Sequence, residues 1–151
     1  MGPEDVHFRL MKVEDITGVM EVEVSSFTTP WTANAFYNEV MNNHFAYYIV
    51  AELNQRIVGY CGVWVIIDEA HITNVAVHPE FRGIKIGENL MKYVMGLSMA
   101  YGATKMTLEV RVSNVGAQAL YKKLGFTAQG IRKGYYTDNN EDAIIMWANL
   151  Q

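Results

Sequence analysis

The chain has 151 residues, of which 50% are hydrophobic and 19% are charged, as expected of one globular domain that spans residues 1–151. Its net charge of −4 argues against a general nucleic-acid-binding protein, which would present a basic face, and suits a basic peptide as partner. A single cysteine excludes a disulfide within the chain, and four scattered histidines make a metal site unexpected.

The first residues and the longest apolar run indicate where the protein is located. Residues 1–7 have neither the basic start nor the apolar run of a secretory signal. The longest apolar run, residues 60–67, is too short to cross a bilayer. We therefore expect a cytoplasmic protein that has no membrane partner.

Hydrophobic periodicity predicts strands and helices through the first half of the chain. Pro30 favours a turn after the first helix, because it pushes Thr29 out of helical geometry. Thr32 can then cap a second helix, and Asn54-Gln55 is typical of a hairpin. The predicted elements are a strand at 6–11, helices at 15–27 and from Thr32 to about 41, and strands at 46–52, 57–67 and 70–77.

The second half of the chain alternates helices and strands. Gly102 and Gly125 each follow an apolar helical pattern and are typical C-terminal caps, while Ser113 or Asn114 can cap the helix between them. The predicted elements are a helix at about 85–101, a strand at 105–111, a helix ending at Gly125, and strands at 126–132 and 143–148 around a polar loop at 133–142. The whole order, β-α-α-β-β-β-α-β-α-β-β, predicts an α/β fold of the α+β type, with helices packed on a mixed sheet.

A basic turn with two glycines joins the predicted strand at 70–77 to the long helix. Backbone amides at the start of a helix form an anion site together with the helix dipole, and glycine lets a phosphate approach. The turn lacks both the Lys-Ser/Thr of a Walker loop and the third glycine of a dinucleotide fingerprint. From these residues alone, a phosphate site and an ordinary strand–turn–helix connection both remain open. The turn consists of Arg82, Gly83, Ile84, Lys85, Ile86 and Gly87.

The predicted strand at 105–111 carries polar side chains on one face and apolar side chains on the other. Alternation places Glu109 and Arg111 on the same face. A carboxylate in a sheet needs a partner or a cavity, so Glu109 is either a member of a structural ion pair, with Arg111 nearby, or a base in a cleft. His71, within a strand, and His78, before a proline, are interpreted as structural.

A resemblance to a known family links these features. Residues 117–126, AQALYKKLGF, closely match the A-x-x-L-Y-x-x-x-G-F block of the GNAT superfamily of N-acetyltransferases. The turn at 82–87 resembles the acyl-CoA loop of that superfamily, with Lys85 where its middle glycine usually stands. Lys85 keeps the backbone amide, adds a cation and is expected to take a non-glycine backbone conformation. From about residue 8 to residue 147, the chain looks like the ribosomal-protein-alanine N-acetyltransferase (RimI-like) branch.

The resemblance implies a fold and a pair of catalytic residues. The fold is a mixed, mostly antiparallel sheet of about seven strands with about four helices packed on it. Glu109 takes the place of the general base and Tyr121 that of the general acid, although Tyr121 also fits a place in the apolar core. Because an α-amine has a pKa near ~8 and a free carboxylate one near ~4.3, Glu109 would need a raised pKa or a water relay.

The resemblance also implies two sets of ligand-binding residues. Asn114 would contact acetyl-CoA as well as cap its helix, and a backbone amide near Ala76 or Val77 would bind the oxyanion. The residues implied for acetyl-CoA are Val75, Ala76, Val77, Arg82, Gly83, Ile84, Lys85, Ile86, Gly87, Asn114 and Tyr121. Those implied for the acceptor peptide are Trp31, Asn74, Tyr135 and Tyr136.

The implied function is transfer of an acetyl group from acetyl-CoA to the N-terminal α-amine of a protein, by direct attack in a ternary complex. The branch indicates the N-terminal alanine of a small-subunit ribosomal protein as acceptor. Acetylation of a lysine side chain or a small amine, and a non-catalytic CoA-binding module, are the alternatives. Retention of both Glu109 and Tyr121 disfavours the module, and the EDAIIMW ending after a pair of tyrosines disfavours a small amine by resemblance alone.

Overall fold

The computed structural model describes residues 5–150. They form a seven-stranded sheet flanked by four α-helices. The strands lie in the order β1-β2-β3-β4-β5-β7-β6, and every neighbouring pair is antiparallel except β4 and β5, which confirms the predicted fold. Residues 1–4, part of the segment used to predict the lack of a secretory signal, lie outside the described range, as does Gln151. The elements are β1 (His7–Leu10), α1 (Ile16–Ser26), α2 (Ala33–Asn42), β2 (Ala46–Leu53), β3 (Arg56–Ile66), β4 (Glu69–Val77), α3 (Ile86–Ala100), β5 (Lys105–Arg111), α4 (Val115–Lys123), β6 (Thr127–Tyr136) and β7 (Glu141–Asn149).

Local sequence signals explain where several elements begin and end. Thr32 caps α2 as predicted, because its side chain accepts a hydrogen bond of 3.1 Å from the backbone three residues later. Asn54 and Gln55 have φ values of 50° and 67°, which suit the predicted two-residue turn between β2 and β3. Of the two residues considered for the α4 cap, Asn114 makes the capping bond.

The last hairpin differs from its prediction. The polar loop predicted at 133–142 is wrong, since β6 continues to Tyr136 and β7 begins at Glu141. Gly134 departs from the regular ladder with a φ of 61°, and its N–H donates to the Asp142 carboxylate at 2.8 Å. The polar side chains therefore satisfy the backbone of an irregular strand pair instead of forming a long loop.

The sheet splits between β4 and β5. These strands pair only through the first three residues of β4, which end at His71. The register of β4 against β3 then shifts by one residue, so that Thr73 is an unpaired bulge residue. Beyond the bulge, β4 stays paired with β3 and leaves β5, so the ends of the two strands enclose a gap.

Helices cover both faces of the sheet. On the face covered by α1 and α2, called the α1 face, Val19 and Phe36 pack with Ala76 of β4. On the face covered by α3 and α4, called the α3 face, Leu90 packs with Leu108 of β5. The gap between β4 and β5 is therefore bordered by different elements on its two sides. None of the described helices is long and apolar enough to cross a membrane.

Candidate active site

A cleft of about 800 Å³ opens at the gap between β4 and β5. One wall is the end of β4 with the turn that follows it, and the other is the first part of α4. Sequence reasoning missed Ser26 and Phe27 at the end of α1, which line the cleft without belonging to any contiguous motif. Of the residues predicted to hold acetyl-CoA, all except Ile84 line this one cleft: Val75, Ala76, Val77, Arg82, Gly83, Lys85, Ile86, Gly87, Asn114 and Tyr121.

The turn at 82–87 uses the left-handed backbone region twice. Gly83 has a φ of 87°, and Lys85 has a φ of 65° and a ψ of 22°, just before α3 begins. The prediction of a non-glycine conformation at Lys85 is therefore wrong. The chain has to change direction to enter α3, and a lysine in this conformation costs about 1–2 kcal/mol relative to an ordinary one.

Gly87 leaves the start of α3 open to the cleft. A Cβ at this position would stand 3.7 Å from Val77 Cγ2 and 4.0 Å from Leu120 Cδ2, so the protein itself has room for it. A longer side chain would extend among the residues that line the cleft. Glycine therefore keeps the first amides of α3 accessible to a ligand.

The charges around the turn favour an anion. Arg82 donates from Nε to a β4 carbonyl at 3.1 Å, and neither Arg82 nor Lys85 has a carboxylate partner among the described residues. Glu88, also on the cleft, is bound by Lys123 at 2.8 Å and Lys92 at 3.1 Å, and these bonds lower its pKa to about 2. Because the charge of Glu88 is balanced locally, the two cations of the turn remain available to a phosphate.

The end of β4 offers backbone donors to the cleft. The N–H of His78 donates to the carbonyl of Val58 in β3 at 2.8 Å. Because donors alternate along a strand, the N–H of Ala76 also faces β3, whereas those of Val75 and Val77 face the gap. Of the two amides considered for an oxyanion, that of Val77 is therefore the one directed into the gap.

Tyr121 combines a buried ring with an available hydroxyl. The residue is 7% exposed, and its ring packs on Phe126 with the centroids 5.8 Å apart. The hydroxyl has no hydrogen-bond partner among the described residues, and burial raises its pKa, so the phenol stays protonated. The packing role and the proton-donor role predicted for Tyr121 are therefore compatible.

Glu109 lies on the α1 face and is not among the residues that line the cleft. Its carboxylate accepts hydrogen bonds from His71 Nε2 at 3.1 and 3.2 Å, and from the Tyr135 hydroxyl at 3.1 Å. Burial alone would raise the pKa of Glu109, but these bonds and the charge of Arg132 outweigh it, and the pKa is lowered. Of the two routes predicted for base catalysis by Glu109, the one that needs a raised pKa is therefore wrong. The route through a water relay stays a prediction.

The ion-pair partner suggested for Glu109 is also wrong. Arg111 binds Asp138 and Glu141 instead, at 2.9 and 3.1 Å, because the β6–β7 turn brings these carboxylates to the end of β5. His71, interpreted as structural from the sequence, supplies the contact. Parallel pairing of β4 with β5 was the signal that could have placed His71 and Glu109 on one face.

Two of the residues predicted to bind a peptide lie beside this carboxylate. Tyr135 donates to it, and the Tyr136 ring lies 4.0 Å from the guanidinium carbon of Arg111. In the turn after β6, Asp138 accepts a hydrogen bond of 2.9 Å from Thr28, which belongs to the loop between α1 and α2. The α1–α2 loop and the β6–β7 turn are therefore tied together next to the polar groups of the α1 face.

The other two predicted peptide residues belong to a buried polar network. Asn74 donates to the Tyr60 hydroxyl at 2.7 Å, and Tyr60 donates to Glu23, which is 2% exposed. Glu23 also accepts the backbone N–H of Trp31 at 2.9 Å. Glu23, which no motif marks in the sequence, thus holds the loop that carries Trp31 against the sheet.

The sequence of this chain is similar to those of known acetyltransferases. The model of the acetyltransferase (GNAT) family matches residues 16–126. A Bacillus subtilis relative, provisionally named as a ribosomal protein bS18-alanine N-acetyltransferase, is 51% identical over 142 residues, which cover 94% of each chain. An Escherichia coli relative, named as ribosomal protein bS18-alanine N-acetyltransferase, is 30% identical over 138 residues, covering 90% of this chain and 92% of the relative.

Solved structures show the same architecture. The ribosomal-protein-S18-alanine N-acetyltransferase from Escherichia coli matches with a TM-score of 0.89 at 28% identity, covering 97% of this chain and 94% of that one. Ard1 from Thermoplasma volcanium matches with a TM-score of 0.87 at 26% identity, covering 97% and 99%. The chain therefore belongs to the GNAT family of acetyltransferases.

Proposed function

We propose that this protein transfers the acetyl group of acetyl-CoA to the N-terminal alanine of ribosomal protein bS18, in the cytoplasm. Its relatives carry this acceptor in their names. The main structural support is the pair of unlike half-sites at one gap in the sheet. A basic, glycine-bearing turn lies on the α3 face, and a buried carboxylate with two tyrosines lies on the α1 face.

The α3 side of the gap fits acetyl-CoA. The start of α3 offers backbone amides, and Arg82 and Lys85 offer positive charge, for the diphosphate. Asn114 and Tyr121 stand across the cleft from the end of β4. When bound, acetyl-CoA supplies the thioester carbonyl that the amine attacks.

The residues around the gap account for the charges and protons of the transfer. The acceptor nitrogen forms a bond to the acetyl carbon while the carbon–sulfur bond breaks. The N–H of Val77 stabilises the oxyanion, which for such a donor is worth about 3 kcal/mol. Tyr121 gives a proton to the departing sulfur, and the proton of the amine leaves through water next to Glu109.

The lowered pKa of Glu109 defines how this residue takes part. Direct transfer from an ammonium group of pKa ~8 to a free carboxylate of pKa ~4.3 is already uphill by about 5 kcal/mol, and the lowered pKa of Glu109 makes it more so. An ionised Glu109 instead attracts the ammonium group and holds a water through which the ammonium proton exchanges with solvent, so that the amine attacks once it is neutral. Activity is therefore expected to rise with pH as the free amine becomes more abundant.

The test is acetylation of a peptide that begins with the alanine of bS18. We expect the peptide with a free N-terminus to be acetylated, and an N-terminally blocked version to be inert whether or not it contains lysine. Acetylation of the blocked lysine peptide in place of the free N-terminus would overturn the proposed acceptor. Tight CoA binding without transfer to any amine would instead support a binding module.

A further inference from the structure

His71 and Glu109 form a hydrogen-bonded pair at the point where β4 and β5 separate. Nε2 of His71 lies 3.1 and 3.2 Å from the two oxygens of the Glu109 carboxylate. The carboxylate side chain is 9% exposed and the imidazole 37%. Because Nε2 faces only acceptor oxygens, it carries the hydrogen and donates it to Glu109.

Other groups enclose this pair on both sides. The Tyr135 hydroxyl donates to the same carboxylate, and Arg132 acts on it by charge. The ring of Trp64 meets the imidazole edge-on at 6.2 Å. Nδ1 of His71 has no hydrogen-bond partner among the described residues, so the contact with Glu109 is the one hydrogen-bonded link of the imidazole in this part of the chain.

We propose that His71 is a positioning residue of the acetyl-transfer site, which orients the Glu109 carboxylate toward the acceptor amine through its Nε2–H. The inference rests on the proposed function, since it assumes that Glu109 faces an amine. Glu109 stands on a β-strand beside a gap in the sheet, where its rotamer is held by two donors, from β4 and β6. Loss of the β4 donor would leave the carboxylate bound on one side only.

Two substitutions separate the contributions of His71. His71→Ala removes the donor, and we expect kcat/KM for the peptide to fall about 10-fold, with the KM for acetyl-CoA unchanged. His71→Gln keeps an N–H donor of similar reach and should restore kcat/KM to within about threefold of the wild type. The exposed His44, changed to Gln, is the matched control and should behave as the wild type.

A second measurement needs no acceptor. The titration of the Glu109 carboxyl carbon, followed by NMR, should move to higher pH in His71→Ala and return toward the wild-type position in His71→Gln. An unchanged titration in His71→Ala overturns the inference, and so does a His71→Ala enzyme with wild-type kcat/KM. If the titration moves as expected but no peptide is acetylated by the wild type, the proposed function fails and the coupling of the two residues stands.

Discussion

The two sides of the β4–β5 gap are built in different ways. On the α3 side, one continuous turn supplies backbone amides and two cations, so the site depends mainly on the path of the chain. On the α1 side, the polar groups belong to β4, β5 and β6, and each side chain is held by another side chain. The first kind of site should tolerate a change of side chain that preserves the path. The second kind should lose its geometry when any one partner is removed.

Tyr121 tests whether the two sides meet at one reaction, and gives the largest expected effect. Tyr121→Phe keeps the ring that packs on Phe126 and removes only the hydroxyl. We expect unchanged folding and CoA binding, with turnover lower by at least about 100-fold, because the departing sulfur loses its proton donor. Steady-state kinetics measure the turnover, and a melting curve checks the folding. Wild-type turnover in this variant would assign Tyr121 to packing alone.

Gly87 tests the claim that the α3 side works through accessible backbone. Gly87→Asp would place a carboxylate where the cleft needs an anion, and we expect CoA affinity to fall by about 100-fold, equivalent to roughly 3 kcal/mol. Gly87→Ala is the control, since a Cβ has room beside Val77 and Leu120. Titration calorimetry with CoA separates the two variants. Equal affinity in a folded Gly87→Asp protein would contradict the assignment of the turn to CoA.

Glu109 tests the side-chain half of the site. Glu109→Gln keeps the volume and removes the charge, so turnover near neutral pH should fall by up to about 100-fold. The deficit should shrink as the pH rises, because an α-amine above its pKa of ~8 is already neutral. A pH–rate profile with saturating acetyl-CoA gives the comparison. A deficit that stays constant with pH would return Glu109 to a structural role.

The stability of the same variant has its own pH dependence. Folding lowers the pKa of Glu109, so the stability that its ionised form contributes is present above the unfolded value of ~4.3. That contribution is lost as the pH falls through the lower folded-state value. Glu109→Gln should therefore melt below the wild type at pH 7 and approach it at an acid pH below the folded-state pKa of Glu109. The measurement is the melting temperature of both proteins at the two pH values. If the carboxylate were not ionised in the folded protein, the difference between the two melting temperatures would be the same at both.

Lys85 gives the smallest expected effect and separates the backbone path of the turn from its charge. Lys85→Gly relieves a left-handed lysine, and the gain of about 1–2 kcal/mol is partly offset by the flexibility of glycine in the unfolded chain. The protein should be slightly more stable, while CoA affinity should fall about threefold at low salt and less at high salt. Denaturant unfolding and CoA titrations at two salt concentrations provide the test. A clear loss of stability would mean that the Lys85 side chain holds the turn together.

Features of the molecule that depend on neighbours in sequence could be predicted well. The hairpin at Asn54-Gln55, the Thr32 cap and the order of the elements all follow from local patterns. The residues of the cleft could be assembled for a related reason, since the turn at 82–87 follows β4 directly and the ALYKKLGF block forms α4.

Features that depend on strand register could not be predicted in the same way. The contact between His71 and Glu109 requires parallel pairing at the base of β4, which neither strand shows by itself. The partners of Arg111, which are Asp138 in the β6–β7 turn and Glu141 at the start of β7, lie 27 and 30 residues later, in the segment predicted as a polar loop. The conformation of Lys85 follows from the change of chain direction before α3, and lysine is an uncommon residue for it.

The short pairing of β4 with β5 has a consequence for how the protein holds together. In residues 5–150, the strand pairing between the β1–β4 half of the sheet and the β5–β7 half is limited to the start of β4, so this junction is a seam in the sheet. A ligand that touches the end of β4 and the start of α4 together bridges the seam. At 100 times its Kd, such a ligand adds about 2.7 kcal/mol to the folded state. Amide hydrogens on both sides of the seam should then exchange more slowly when the ligand is bound.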